Sequence, residues 1–253
     1  MSHISFSALK VWNDCPFKYK LSYEDKVAVF NGSEYTAFGT ALHEAAELKV
    51  QDDNVNEVEV FLNKFNSEVQ ILREQQTKID EKLLLDMTNQ GQMLASKVVP
   101  ALKESFGNFK VLAAEEDIYE AISEEFNFKG FIDLIIQTED NKIHIIDWKS
   151  CAWGWDSKKK SDPMTTYQLT FYKHFYAKKH NVDPKNIETY FALLKRTAKK
   201  DNVEIFRVTS GPKKTENAFK ILNNALYNIQ KKHFPKNKLN CKYCEFKKTV
   251  HCP

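Results

Sequence analysis

The chain has 253 residues, of which 42% are hydrophobic and 28% charged, with a formal net charge of +3. This is the composition of an ordinary folded protein, long enough for one large domain or two small ones. No uncharged run approaches the roughly 18 residues that cross a bilayer, and residues 1–10 lack the basic-then-apolar layout of a signal peptide, so an intracellular, cytoplasmic protein is expected.

The charge is unevenly spread. Residues 51–90 carry nine acidic and four basic side chains, whereas residues 207–253 carry eleven basic and two acidic ones. A basic end suits a polyanionic partner, although a lysine-rich solvated surface has the same composition. Only Arg73, Arg196 and Arg207 are arginines among 37 basic residues. That weakens the case for bidentate base reading and leaves phosphate contacts by lysine. No glycine-rich phosphate loop is present, which argues against a Walker-type ATPase.

In chain order, residues 5–12 read as a short helix capped by Ser5 and ending near Cys15-Pro16. Phe17, Tyr19, Leu21 and Tyr23 continue as an aromatic hinge. Gly32 and Gly39 frame a loop, and residues 40–50 form an alanine-rich helix with Leu42, Ala45, Ala46 and Leu48 on its apolar side. Residues 55–106 repeat apolar side chains at three-to-four spacing. This predicts two or three helices, a helical insertion or lobe over residues 51–107, with Pro100 near a boundary or kink. The period then changes to that of strands, over residues 109–122, 124–137 and 143–150. Glu139-Asp140-Asn141 forms the turn between the last two. Residues 151–162 are a loop containing Trp153, Gly154, Trp155 and three consecutive lysines. A helix over 165–179, strands over 187–194 and 203–208, and a helix over 212–233 follow. The expected fold is α/β: one domain over residues 1–253, with a central mixed sheet of about five strands flanked by helices, plus the helical lobe.

Two strands carry the chemistry. Gly130-Phe131-Ile132-Asp133 and Ile145-Ile146-Asp147-Trp148-Lys149 are apolar runs that each contain a carboxylate. A buried unpaired charge is costly, so ionised groups in such runs need a reason. Asp147 and Lys149 fall on one strand face. With His43 upstream, Asp133 and Asp147 are candidate ligands for Mg²⁺ or Mn²⁺. Such a site suits phosphodiester hydrolysis, with Lys149 positioning water or neutralising the phosphate. Turn capping by either aspartate alone is the plainer alternative; the pair with Lys149 favours catalysis.

Gly130-x-x-Asp133 followed by Asp147-x-Lys149 resembles the signature of the PD-(D/E)XK nuclease superfamily. Its RecB-like branch adds a Gly-x-x-x-His helix, matched by Gly39-Thr40-Ala41-Leu42-His43, and a Gln-x-x-x-Tyr helix, matched by Gln168-Leu169-Thr170-Phe171-Tyr172. The resemblance implies a restriction-endonuclease-like core. It implies that His43, Asp133, Asp147 and the backbone carbonyl of Trp148 bind the metal. Lys149 is then the catalytic lysine, and Gln168 and Tyr172 contact DNA. Glu47, a turn after His43, and Glu116, on the preceding strand, are further acidic candidates.

Cys241, Cys244 and Cys252 form a C-terminal cluster, and an odd total of five cysteines argues against a disulfide framework. Cys15-Pro16-Phe17-Lys18-Tyr19 resembles the N-terminal segment of Cas4-like and AddB-like nucleases. There, one early and three late cysteines hold a [4Fe–4S] cluster, implying that the segment 234–253 packs back on the N-terminal region. Seven residues separate Cys244 from Cys252, a wider gap than the family's, and His251 keeps a Zn²⁺ site open as the alternative. Cys151 is expected to be a small buried core residue.

The expected function is a metal-dependent DNA nuclease, an exonuclease acting on single-stranded ends in repair, recombination or CRISPR-type processing. Trp148, Trp153, Trp155 and Tyr172 are candidates for stacking on bases. Lacking helicase motifs, the chain would act alone or with a helicase or recombination partner. The alternatives are a structure-specific endonuclease of the same fold and a non-catalytic DNA-binding subunit.

Overall fold

The computed structural model describes residues 2–27 and 32–253. The elements in order are β1 (Ser2–Ser5), α1 (Phe6–Asp14), α2 (Pro16–Tyr19), a π-helical turn (Lys20–Glu24), α3 (Glu34–Gln51), α4 (Glu57–Glu74) and α5 (Glu81–Phe106). Then come β2 (Phe109–Ala121), β3 (Phe126–Thr138), β4 (Ile143–Cys151), α6 (Ser157–Ser161), α7 (Pro163–His180), β5 (Ile187–Lys195), β6 (Val203–Arg207) and α8 (Pro212–Gln230). The strands form a mixed sheet in the order β1-β3-β4-β5-β6, with β2 also paired to β3. Helices flank it, as expected for a restriction-endonuclease-like fold. None of the described helices is long and apolar enough to cross a membrane.

The chain divides into two compact units. One comprises Met1–Phe30, Ile118–Gly130 and Gly211–Pro253. In it β1 runs parallel to the first residues of β3, from Ser2 opposite Phe126 to Ser5 opposite Lys129. Ser5 ends the strand and caps α1, its Oγ accepting the Ala8 N–H at 3.2 Å. The expected aromatic hinge is helical instead. Tyr19 stacks on Tyr23, one turn along, at 5.2 Å, and on Phe234 of the C-terminal segment at 6.2 Å. The C-terminal segment folds against the N-terminal helices: Asn237 and Asn240 both donate to the Asp14 carbonyl, and Lys18 pairs with Glu245 at 2.8 Å.

The other unit comprises Asn31–Asp117 and Phe131–Ser210. Helix α3 starts earlier than its alanine pattern predicts because Ser33 and Thr36 form a reciprocal capping box. Gly39 therefore lies inside a helix rather than framing a loop. Its missing side chain matters, since a Cβ there would stand 3.2 Å from the Ser150 hydroxyl of β4. Helices α3, α4 and α5 share one apolar cluster. Phe38 meets Phe61 and Phe65 edge-on, and those two stack at 5.5 Å. Gly91 of α5 leaves the space that the Phe61 ring fills. Pro100 lies within α5 without ending it; Val98, Val99 and Leu102 are buried around it. The same cluster includes Leu134, Ile136, Ile146, Trp148, Ala192 and Leu194 of the sheet.

Strands β4 and β5 are parallel and are bridged by α7, as a parallel pair requires. Asp162 caps α7 through the Thr165 N–H, Pro163 occupies its first turn, and Asn181 closes it in the left-handed conformation at φ +53°. Strand β3 pairs antiparallel with β4 from Gln137 opposite Ile143 to Leu134 opposite Ile146. Asp133 and Asp147 are the next residues along.

Candidate active site

Where the regular β3–β4 pairing stops, a side chain replaces the backbone acceptor. The Trp148 N–H donates to Asp133 Oδ2 at 2.7 Å. In a strand the carbonyl of a residue projects from the same edge as its N–H, so the Trp148 carbonyl also faces the Asp133 side. The Trp148 indole is fully buried in the core cluster. That removes it from the rings able to stack on a base. Asp147 is 1% exposed. Its Oδ2 lies 2.5 Å from Lys149 Nζ, and its Oδ1 accepts from Gln168 Nε2 at 2.9 Å. Gln168 also donates to the Tyr172 hydroxyl at 3.0 Å. The half-buried Gln168, backed by the buried Tyr172, thus reaches the carboxylate from α7 rather than standing apart from it.

Helix α3 supplies the opposite wall. Gly39, His43 and Glu47 recur at four-residue spacing and share one stripe. Gly39 allows the close approach to Ser150, and the next turn places His43 Nδ1 3.7 Å from Asp133 Oδ1. His43, Glu47 and Asp133 each offer a ligand atom within 4.8 Å of the others. They line a cavity of about 570 Å³ with Glu44, Glu115 and Phe131. Asp147 is not part of this triad; Lys149 and Gln168 occupy its oxygens.

Of the acidic pair on β2, Glu115 lines this cavity and Glu116 does not. Glu116 binds Lys179 at 2.6 Å and His180 at 2.9 Å, and it does not line the cavity. The alternation of β2 slips at Ala113-Ala114, and Glu115 takes φ +54°. This one-residue slip exchanges the two faces, so Glu116 shares the face of Ile118.

The electrostatics are those of crowded buried acid. Burial raises Asp147 to about 6 against the pull of Lys149, with Asp133 pushing in the same direction. Burial likewise raises Asp133 to about 6, opposed by Lys149 and the Trp148 N–H. Glu47 rises to about 7 through burial, with Asp133, Glu115 and Glu44 adding to it. Burial lowers His43 to about 4, so its imidazole is neutral and has a lone pair to offer. Burial alone would lower Lys149, but the Asp147 and Asp133 carboxylates outweigh it and its value lies above the ordinary lysine range. A neutral imidazole beside carboxylates that resist sharing space is a donor set matched to a hard or borderline divalent cation.

The four cysteines of the other unit also meet. Cys15, Cys241, Cys244 and Cys252 line one cavity of about 410 Å³ with Phe17, Leu21 and Phe246. The Asn237 N–H donates to Cys15 Sγ at 3.3 Å. No three of these sulfurs lie within 4.8 Å of one another. His251 is exposed, and Cys151 is half-buried rather than a core residue.

A structure search matched a protein described as a candidate exonuclease from Eubacterium rectale at a TM-score of 0.62 and 12% identity, covering 96% of this chain and 86% of that one. Another match, SSO0001, has a TM-score of 0.39 and 16% identity over 91% of both chains. A search of curated proteins found no match. The family model of the PD-(D/E)XK nuclease superfamily matches residues 3–249, nearly the whole chain. The chain belongs to the PD-(D/E)XK nuclease superfamily.

Proposed function

We propose that this nuclease is a divalent-metal-dependent exonuclease that hydrolyses DNA from single-stranded ends, inside the cell, in repair, recombination or CRISPR-type processing. The observation that carries the reading is the convergence of Asp133, Asp147, Lys149, His43 and Glu47 around the point where β3 and β4 part. His43, Glu47 and Asp133 would hold Mg²⁺ or Mn²⁺, with the Trp148 carbonyl on the same edge. When bound, such a cation supplies Lewis acidity and neutralises charge at the phosphate. Asp147 holds Lys149 as an ammonium facing the site, where it stabilises charge growing on phosphate oxygen. Gln168 fixes the rotamer of Asp147, and Tyr172 fixes Gln168.

The test is digestion of end-labelled linear and circular single strands with Mg²⁺ or Mn²⁺. Linear strands should shorten progressively while circles survive. Circles cut as fast as linear strands would make it an endonuclease. Lys149→Ala and Asp133→Ala should each abolish metal-dependent cleavage; full activity in either variant would sink the catalytic assignment.

The resemblance of the Cys15 segment is the ground for proposing a [4Fe–4S] cluster on Cys15, Cys241, Cys244 and Cys252, which line one cavity but do not gather three sulfurs at one point. In a cubane each thiolate binds a different iron, so the ligands stand wider apart than four ligands on one Zn²⁺. When bound, the cluster would serve as a covalent clasp between the two ends of the chain. Anaerobic purification followed by an iron assay decides it: a colourless protein containing zinc but no iron would overturn the cluster.

A further inference from the structure

The loop leaving β4 carries an indole that the fold does not use. Trp153 is 76% exposed. Two residues on, Trp155 packs edge-on against Phe191 at 5.1 Å and Phe206 at 6.2 Å. Gly154 between them has φ +111°, a conformation that residues with side chains rarely adopt. The turn lets the half-buried Trp155 anchor the loop on Phe191 and Phe206 while Trp153 stays outside.

The loop is also tied down. The Arg196 N–H donates to the Cys151 carbonyl at 2.9 Å, and Thr197 donates to Ala152 through its N–H at 3.1 Å and its hydroxyl at 2.7 Å. The Arg196 guanidinium lies 5.4 Å from the Tyr35 ring centroid, and its Nη1 donates to Gln90 Oε1 at 2.9 Å. Tyr35 is 55% exposed and sits one turn before Gly39, the residue of α3 that meets Ser150. Trp153, Arg196 and Tyr35 therefore border one rim at the C-terminal end of β4. Residues 150–161 and 195–204 together hold seven basic and three acidic side chains. Lys158, Lys159, Lys199 and Lys200 are exposed, whereas Lys160 and Lys195 pair with Glu204. Lys149 is four residues before Trp153, so their Cα atoms are at most ~14 Å apart, a reach of a few nucleotides.

We propose that this rim docks an unpaired DNA strand, with Trp153 stacking on a base while Arg196 and the exposed lysines contact flanking phosphates. The proposal rests on the nuclease reading with its single-stranded substrate and adds where that strand docks and which residues select it. An exposed indole gains a partner only where a base face is free, and inside a duplex both faces are covered by neighbouring bases. The surplus of cations matches a phosphate backbone.

Binding of a labelled oligothymidine strand and of a closed hairpin duplex is measured in EDTA, where cleavage is blocked. Trp153→Ala should weaken single-strand binding about 5- to 150-fold and leave duplex binding unchanged. Trp153→Phe should restore most of the affinity. Tryptophan emission should be quenched by the strand in wild type and far less in Trp153→Ala. Because Trp153 is exposed, the variants should unfold at the wild-type temperature. The docking track is overturned if wild type does not bind the strand, if Trp153→Ala binds it as tightly as wild type, or if it loses strand and duplex equally. These failures are separable from failure of the nuclease reading. An enzyme that cuts DNA but is indifferent to Trp153→Ala loses only the track, whereas a strand-binding protein that never cuts loses only the nuclease.

Discussion

Asp147→Asn should stabilise the metal-free protein while removing its activity. Asp147 is 1% exposed, and burial raises its folded-state value to about 6 from an ordinary 3.8. A raised carboxylate binds its proton more tightly in the folded than in the unfolded chain. Its contribution to stability is therefore present below about pH 4 and is lost as pH rises through about 6. A shift of roughly two units at 1.36 kcal/mol each amounts to about 3 kcal/mol at neutral pH. Lys149 does not cancel this, because the shift already includes its attraction. Asparagine mimics the protonated acid, keeps an oxygen for Gln168, and leaves Asp133 beside Lys149. For a chain of this size about 3 kcal/mol corresponds to roughly 6–12 °C in Tm. Thermal unfolding in EDTA, followed by circular dichroism, should place Asp147→Asn above wild type at pH 8, with the gap closing near pH 4. Wild type unfolding at or above the temperature of Asp147→Asn at pH 8 would refute the reasoning.

Two other substitutions examine separate parts of the argument. Glu115→Gln should weaken Mn²⁺ binding by about tenfold or more, whereas Glu116→Gln, which loses only its Lys179 and His180 partners, should not change it; calorimetry without DNA reads both, and the reverse order would return the acidic role to Glu116. Gly91→Ala would place a Cβ 1.9 Å from Phe61 Cζ and should cost about 1–3 kcal/mol or more by urea unfolding. The same change in a Phe61→Leu background should cost less, and an equal cost would mean that Phe61 does not set the limit.

The parts of the site written in strand parity and helix spacing are legible from the residues. Asp147 and Lys149 share a face because a strand has period two, and Gly39, His43 and Glu47 share a stripe because a helix has nearly four residues per turn. The Gln168–Tyr172 pair is legible in the same way, but its target is not. That Gln168 grips Asp147 depends on how α7 lies over β4 and β5, which no local pattern encodes. Strand β1 escapes notice because four residues are too few to show an alternation. Glu116 enters by resemblance rather than by parity, and that transfer cannot register the slip at Ala113-Ala114, past which Glu115 lines the cavity and Glu116 pairs with Lys179 and His180. The aromatic segment at Phe17–Tyr23 misleads because Tyr19 and Tyr23 stack along a helical turn, and aromatic enrichment by itself favours neither helix nor hinge.

The location of the site follows from where two requirements conflict. Strands β3 and β4 need apolar residues to bury both faces, while phosphodiester chemistry needs charge. The conflict is resolved one residue beyond the last regular pair, Leu134 opposite Ile146. There Asp133 can take the Trp148 N–H that a backbone carbonyl would otherwise take, so a charged group completes the sheet's hydrogen bonding while facing the cavity. Its neighbours share the load: Lys149 and Gln168 satisfy Asp147, and neutral His43 stands beside Asp133 without adding charge. What remains uncompensated is concentrated on Glu47 and Asp133, both raised by burial. A cation bound there would relieve the repulsion that makes this cluster of acids costly. On the proposed metal-dependent reading, metal affinity and metal-free instability would be two sides of one arrangement, and a variant that gains stability here would do so by giving up charge that favours a cation.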